Sequence, residues 1–173
     1  IRDGFYGWAT ESLIKANGKL NSDAYLYYFD HPMQWAEDID MGVFHFSDVF
    51  FTFNHVKKYR ELRLPNWPEY SPTKSDIKMA ELMSDYWISF AKNGFPSVKG
   101  KPQWHPYTND EHHYMKFADG RAAPGRNLLP GMFELHEKIV EWRKSRNEKW
   151  WATNIGLLAP VIDSKDANEE ELT

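Results

Sequence analysis

Apolar residues recur at helical spacing in three parts of the chain, and this pattern predicts three amphipathic helices. They span residues 3 to about 16, residues 73 or 75 to 93, and residues 132 to about 146. Thr73 and Ser75 are alternative N-caps of the middle helix, and Asn93-Gly94 is typical of a helix end. The predicted inward face of the middle helix consists of Met79, Met83, Tyr86, Trp87 and Phe90. In the first predicted helix, the apolar residues at near-helical spacing are Phe5, Trp8, Ala9, Leu13 and Ile14. Asn17-Gly18 is expected to end this helix.

Continuous apolar and aromatic runs predict two strands. The longer run extends from Ala24 to Phe29 and ends before Pro32, and its composition suits a buried strand. The shorter run, Tyr114 to Phe117, follows a turn at Asn109-Asp110 and suits the edge of a sheet.

The part of the chain between the long strand and the middle helix combines polar loops with one short helix. An acidic loop is expected at residues 33–41, and a loop rich in proline and basic residues at 54–74. Ser47 and Asp48 favour a helix start, because a hydroxyl caps the first turn and a carboxylate stabilises its positive end. The predicted buried side of this short helix is Val49, Phe50 and Phe53.

These elements alternate as in the α/β class, but they do not complete a sheet. The predicted order is helix, strand, helix, helix, short strand, helix, and one long strand lacks the partners that a sheet needs. We therefore expect residues 1–146 to be the end of a larger α/β protein and not a complete domain. Residues 147–173 are expected to form a C-terminal extension with a partly disordered acidic tail.

Composition and charge exclude several classes of function. The net charge of −4 comes from interspersed acidic and basic residues, so the sequence predicts no face that binds nucleic acid or an anionic membrane. No apolar run approaches the ~20 residues of a membrane span. The absence of cysteine excludes disulfides and thiolate metal sites in this chain, and it leaves the cellular compartment open.

The stretch MGVFHFSDVFF, residues 41–51, places His45 among phenylalanines and carries the main candidate chemistry. A lone histidine among aromatic residues is more often a hydrogen-bonded packing residue. The competing interpretation is a proton-transfer group held in a dry pocket. Imidazole suits that role because its unperturbed pKa of about 6.5 lies near working pH.

The other histidines give weaker signals. His112-His113 resembles a metal pair, but adjacent side chains in a polar turn point apart and no third ligand is spaced nearby. No metal is therefore expected. His31 is interpreted as a packing or hydrogen-bonding residue, and the remaining three, His55, His105 and His136, as structural or surface residues.

Four motifs occur in a fixed order: AYLYYFDHP, MGVFHFSDVFFTF, MSDYWISFAKNGFPS and WHPYTNDEHHYMKF. In this order they resemble the C-terminal part of the type-B carboxylesterase/cholinesterase family. That family carries a Y-x-Y-x-F strand, a G-x-x-H-G-x-E/D loop, a helix ending W-x-x-F-A-x-x-G-x-P, and a W-P-x-Y/F segment. The resemblance extends over residues 3 to 142.

The resemblance implies an α/β-hydrolase fold with a triad in the chain order Ser, Asp or Glu, His. His45 falls on the position of the family's catalytic histidine, and Asp48 falls where the family has Glu or Asp. We expect Asp48 to steady the histidine loop. Phe46 replaces the family's glycine after the histidine, which adds bulk beside the imidazole. The expected pocket residues around this loop are Trp35, Met41, Phe44 and Phe46.

The rest of the catalytic apparatus has no counterpart in the sequence. No G-x-S-x-G and no HGGG-type stretch occur among the ten glycines. The expected partner is the N-terminal portion of the same hydrolase, which would carry the serine, the acid and the oxyanion hole. The expected substrate is a small carboxylic ester, with no cofactor, and the isolated chain is expected to be inactive. The resemblance favours a secreted location.

Two other functions stay open. The same family includes adhesion proteins that kept the fold and lost the triad, and this chain is alternatively part of such a binding protein. A free-standing interaction module is the third interpretation, although the unpartnered strand argues against it. For the esterase, phenylalanines around His45 are expected to exclude water and strengthen its hydrogen bonds.

Overall fold

The computed structural model describes residues 7–18, 22–63 and 65–146. The chain divides into two compact units, one formed by Asp23–Asn127 and the other by Ile1–Ser22 with Leu128–Thr173. Within the described residues, no helix combines the length and apolar character needed to cross a bilayer. Residues 147–173, the expected extension, lie outside the described residues.

The larger unit contains a three-stranded mixed sheet in the order β1-β2-β3. The strands are β1 (Tyr27–Phe29), β2 (His113–Ala118) and β3 (Arg121–Arg126). β1 pairs in parallel with β2, and β2 pairs antiparallel with β3. The expectation that this chain offers the long strand no partner is therefore wrong on the β2 side. The strand β1 is also shorter than the predicted run from Ala24 to Phe29, because it begins at Tyr27.

β3 was not predicted because its sequence, RAAPGR, has no strand pattern. Tertiary packing explains it. Pro124 is tolerated because β3 is an edge strand, where the missing N–H costs no ladder hydrogen bond. A Cβ atom at Gly125 would lie 2.5 Å from Cζ of Tyr114, so any larger residue there would displace the Tyr114 ring. Asp119 and Gly120 both have positive φ, as a tight hairpin turn requires.

The helices of the larger unit are α2 (Gln34–Asp38), α3 (Ser47–Thr52), α4 (Tyr59–Leu62) and α5 (Lys74–Asn93), with a 3₁₀ turn at Val56–Lys58. The acidic loop predicted at 33–41 thus contains α2, and the predicted loop at 54–74 contains the 3₁₀ turn and α4. Neither has the length or periodicity that a helix needs to be visible in the sequence.

The long helix α5 agrees with its prediction. Thr73 caps it in a reciprocal capping box with Asp76, and Gly94 follows its end with φ +80°. Met79, Met83 and Tyr86 are fully buried against the sheet and α3, as predicted. At the C-terminal end of the same stripe, Trp87 is only half-buried and Phe90 is 46% exposed.

The short helix α3 packs against α5 with a different face from the predicted one. Phe50 is buried as expected, but Phe51 is the fully buried residue and Phe53 is 64% exposed. The helix starts at Ser47, as predicted, but it ends at Thr52, so Phe53 lies beyond its last turn.

The smaller unit contains α1 (Trp8–Asn17) and α6 (Met132–Ser145), which contact each other. In α1, Ile14 is buried but Leu13 is exposed, contrary to prediction; Phe5 lies outside the described residues. The helix ends at Asn17 with Gly18 as its C-cap, as predicted, although Gly18 has right-handed dihedral angles. α6 follows Gly131 and buries Phe133 and Val140.

Candidate functional site

His45 lies at the corner of a tight turn that leads into α3. The carbonyl oxygen of Phe44 accepts hydrogen bonds from the Ser47 backbone N–H at 3.1 Å and from the Ser47 hydroxyl at 2.7 Å. Phe46 has φ +79° and ψ −8°, the angles of the third residue of a type II turn. The predicted capping role of Ser47 is therefore wrong. Its hydroxyl does not cap α3 but closes the turn that displays His45.

The backbone at Phe46 gives a physical reason for the glycine that the family resemblance predicts there. Glycine adopts positive φ without steric cost, whereas a bulky residue in this conformation costs roughly 1–2 kcal/mol. The Phe46 side chain gains little packing in return, since 54% of it is exposed. This chain therefore holds a strained residue immediately beside the candidate histidine.

Within the described residues, phenylalanines do not enclose the imidazole, and their role in a complete esterase stays a prediction. His45 is exposed, and its ring lies 6.5 Å from the Phe46 ring, centroid to centroid. Phe44 is half-buried and faces away from the turn corner, toward Trp35 at 5.1 Å and Trp67 at 5.4 Å. The imidazole is thus presented outward from the turn.

The four predicted pocket residues separate into two groups. Trp35 and Phe44 are half-buried and form an aromatic cluster with Trp67, whereas Met41 and Phe46 are about half exposed. Trp67 was not predicted, because it lies in a proline-rich segment without periodicity. The structure brings Trp35 and Phe44 together but leaves Met41 and Phe46 on the surface.

Asp48, in the first turn of α3, is tied to the sheet. The hydroxyl of Tyr27 on β1 donates a hydrogen bond of 2.7 Å to Oδ2 of Asp48. Burial, and then the neighbouring Asp48 carboxylate, raise the pKa of Tyr27 above its usual range. The sequence singled out Asp48 but not Tyr27, although Tyr27 is one of the alternating tyrosines of the Y-x-Y-x-F motif.

A buried ion-pair geometry anchors the other end of β1. Nε2 of His31 lies 2.9 Å from Oδ1 of Asp76, and both side chains are buried. Burial alone would raise the pKa of Asp76, but hydrogen bonds from His31 and Thr73 lower it to about 2. The interpretation of His31 as a hydrogen-bonding residue is confirmed. Its partner, Asp76, lies 45 positions away in the first turn of α5.

A second histidine cluster lies where β2 begins. The rings of His105 and His113 stack at 5.0 Å, and His113 Nε2 lies 2.8 Å from Oε2 of Glu111. His112 instead contacts the Tyr107 hydroxyl and the Asn109 carbonyl oxygen, so the adjacent pair does point apart. No three His, Cys, Asp or Glu side chains within the described ranges are arranged to hold a metal ion.

An open apolar cavity of about 190 Å³ lies between β1 and α5. Its lining consists of Tyr25, Tyr27, Tyr86, Trp87, Phe90, Pro96 and Trp104. None of the predicted pocket residues contributes to it. Tyr27 links this cavity to the first turn of α3, through the bond to Asp48.

Sequence comparisons match this chain to carboxylesterases. A sequence model of the carboxylesterase family matches residues 1–129. The pyrethroid hydrolase Ces2a of Mus musculus is 28% identical over 137 residues, which cover 75% of this chain and 23% of that protein. The cocaine esterase of Homo sapiens is 29% identical over 124 residues, covering 68% of this chain and 21% of that protein. This chain therefore spans less than a quarter of the length of these relatives.

Solved structures show the same relation at the level of the fold. An esterase from the anaerobe Clostridium hathewayi superposes with a TM-score of 0.59 at 22% identity, covering 75% of this chain and 24% of that one. A carboxylesterase of Geobacillus stearothermophilus superposes with a TM-score of 0.53 at 21% identity, covering 71% and 24%. The helices and small mixed sheet of this chain fit part of an α/β hydrolase.

Proposed function

This chain belongs to the carboxylesterase family, and from that premise we propose that it supplies the triad histidine, His45, of a serine esterase that hydrolyses carboxylic esters. The serine, the acidic triad member and the oxyanion hole would lie in an upstream part of the same hydrolase or on a partner chain. The match of residues 1–129 to the family, with His45 at the corner of its turn, carries this proposal.

The geometry of the turn suits the chemistry. A serine esterase needs a base that takes the hydroxyl proton during attack and returns it to the leaving alkoxide. An exposed imidazole at the corner of a turn closed by hydrogen bonds can be reached by a serine that another part of the fold brings. Phe44, the residue before His45, is held in place by ring contacts with Trp35 and Trp67.

The substrate class follows from the relatives. Those named above are a hydrolase and esterases, so small carboxylic esters are the proposed substrates. Phe46 and Met41 project from the surface beside His45 and would line the pocket once the rest of the hydrolase covers them. The bulk of Phe46 would restrict the acyl or alcohol group that fits there.

Exposed apolar surface supports the need for further parts of the fold. Ile88, Phe90 and Phe95 are each about half exposed around the C-terminal end of α5 and the segment after it. The relatives and solved structures that match this chain are roughly three times as long. The upstream part of the hydrolase would cover this surface, and the chain alone would lack activity.

Replacing His45 with alanine tests the proposal. In the complete esterase, His45→Ala should lower turnover of a carboxylic ester by roughly 10²–10⁴, since this is the typical contribution of a positioned proton-transfer group. The melting temperature should change little, because the hydrogen bonds that close the turn are made by Phe44 and Ser47 and not by the His45 side chain. His55→Ala, at a half-buried loop histidine, serves as the matched control and should retain turnover. Unchanged turnover in His45→Ala would refute the assignment.

The alternative, an inactive cholinesterase-like adhesion protein, is favoured by one observation. Phe46 occupies a left-handed position where an active relative is expected to have glycine. A fluorophosphonate probe, which forms a covalent bond to an activated serine, separates the two functions. Labelling of the complete protein that disappears in His45→Ala supports the esterase, and absence of labelling in the unmodified protein supports the binding protein.

A further inference from the structure

The hydrogen bond between Tyr27 and Asp48 connects the sheet to the turn that displays His45. We propose that Tyr27 is a positioning residue: its hydroxyl holds Asp48, and through Asp48 it fixes where the His45 turn stands relative to β1. This inference rests on the proposed function, because it concerns how the candidate base is oriented.

Tyr27 is a rigid anchor for this bond. Its backbone lies in β1, paired in parallel register with Met115 of β2. Its ring meets Trp87 edge-on at 5.0 Å between centroids, Trp104 at 6.3 Å and Phe117 at 6.4 Å. A ring held on several sides by aromatic edges has little rotational freedom, so its hydroxyl has a nearly fixed position.

Few soft dihedral angles separate Asp48 from His45. The two residues are three positions apart, and Ser47 between them makes two hydrogen bonds to the Phe44 carbonyl oxygen. The Val49 N–H also donates to the Phe46 carbonyl oxygen at 3.2 Å. A force that holds the Asp48 side chain therefore also holds the backbone of the turn corner.

The bond is stable over the working pH range of an esterase. Burial and the Asp48 carboxylate both raise the pKa of Tyr27, so the phenol keeps its proton and remains a donor. A donor bonded to an ionised carboxylate makes a charge-assisted hydrogen bond, which is about twice as strong as a neutral one. The half-buried Asp48 has this phenol as its hydrogen-bond donor from the sheet.

Catalysis is sensitive to small errors in the position of the base. A displacement of about 1 Å in a reacting group can cost on the order of 10² in rate. Without the Tyr27 hydroxyl, α3 would keep its packing through Phe50 and Phe51, but the turn before it would lose its attachment to β1. The expected defect is therefore in the chemical step and not in folding.

Tyr27→Phe removes only the hydroxyl and should lower kcat of the complete esterase about 10- to 100-fold, with KM within about twofold of the unmodified value. Tyr25→Phe is the matched control, because Tyr25 lines the same cavity but does not bond Asp48 within the described structure. It should leave kcat unchanged. Asp48→Ala, which removes the acceptor, should reproduce the loss, and the double variant should be no worse than the poorer single variant.

Hydrogen exchange gives a readout that does not depend on turnover. The backbone N–H groups of Ser47 and Val49 close the turn, and their exchange should accelerate about tenfold or more in Tyr27→Phe but not in Tyr25→Phe. If His45→Ala abolishes turnover while Tyr27→Phe changes neither kcat nor exchange, the positioning role is overturned and the esterase stands. If His45→Ala has no effect, the esterase assignment fails, and the exchange rates still decide whether Tyr27 holds the turn.

Discussion

Phe46 combines a large side chain with a backbone angle φ of +79°. Residues other than glycine, asparagine and aspartate rarely enter this region. The hydrogen bonds that close the turn on Phe44 keep it there. Strain of this kind is concentrated at functional sites, and here it lies next to the candidate base. The family resemblance identified the substitution, and the dihedral angle explains why it matters.

In this chain, Phe46→Gly should raise the free energy of unfolding by about 1 kcal/mol, because the strain of a left-handed residue disappears. Little packing is lost, since 54% of the Phe46 side chain is exposed. Urea unfolding at constant m-value measures the change.

Phe53→Gly is the control, because Phe53 is equally accessible but has φ −92°. Phe53→Gly should lower the free energy of unfolding by roughly 0.5–1 kcal/mol, because glycine has greater freedom in the unfolded chain. Equal effects of the two substitutions would show that Phe46 is not strained.

α5 and β1 are joined by the buried pair His31 and Asp76. Asp76 has a double role, since it also completes the capping box with Thr73. These hydrogen bonds, made to both carboxylate oxygens, favour the ionised form and keep the pKa of Asp76 at about 2 despite burial. The N-terminus of the longest helix is thereby fixed to the segment that follows β1.

The lowered pKa of Asp76 predicts acid sensitivity. Its contribution of about 2 kcal/mol is fully present above pH ~4, the unfolded-state value, and is lost as pH falls toward 2. Asp76→Asn should therefore lower the free energy of unfolding at neutral pH by at least this amount. It should also flatten the dependence of stability on pH between about 4 and 2.

Asp85→Asn, on the exposed side of the same helix, is the matched control. It should change neither the stability at neutral pH nor the slope in acid. An unaltered acid slope in Asp76→Asn would contradict the assigned role of the carboxylate.

The larger unit has a dense aromatic core and also an apolar face without cover among the described residues. Trp104 and Phe117 lie within about 6 Å of several other rings, whereas Phe90 and Phe95 are 46% and 52% exposed. An uncovered face of this kind marks an interaction site or an aggregation risk. In the proposed hydrolase, the upstream part of the fold removes that risk.

The double substitution Phe90→Glu/Phe95→Glu tests this view in opposite directions. In the isolated chain it should reduce self-association and binding of a hydrophobic dye, because both side chains face solvent. In the complete esterase it should lower the melting temperature, because the same positions would be buried. Analytical ultracentrifugation and thermal unfolding measure the two effects; equal tolerance in both proteins would contradict the proposed covering surface.

Local sequence alone determined the boundaries of α5 and the location of the His45 turn. Capping depends on side chains within a few residues of one another, so Thr73, Asp76 and Gly94 are readable without a fold. The order of the four motifs likewise sufficed for the family, which the comparisons confirm. The catalytic role of His45 stays a prediction.

Only the tertiary structure decided the sheet and the partners of the site residues. β3 forms from RAAPGR because β2 offers it a ladder, and Gly125 leaves space for the Tyr114 ring. Tyr27 meets Asp48 across 21 positions and His31 meets Asp76 across 45. Such pairs have no periodic signature, because the distance between them is set by how strands and helices pack and not by the spacing of residues along the chain.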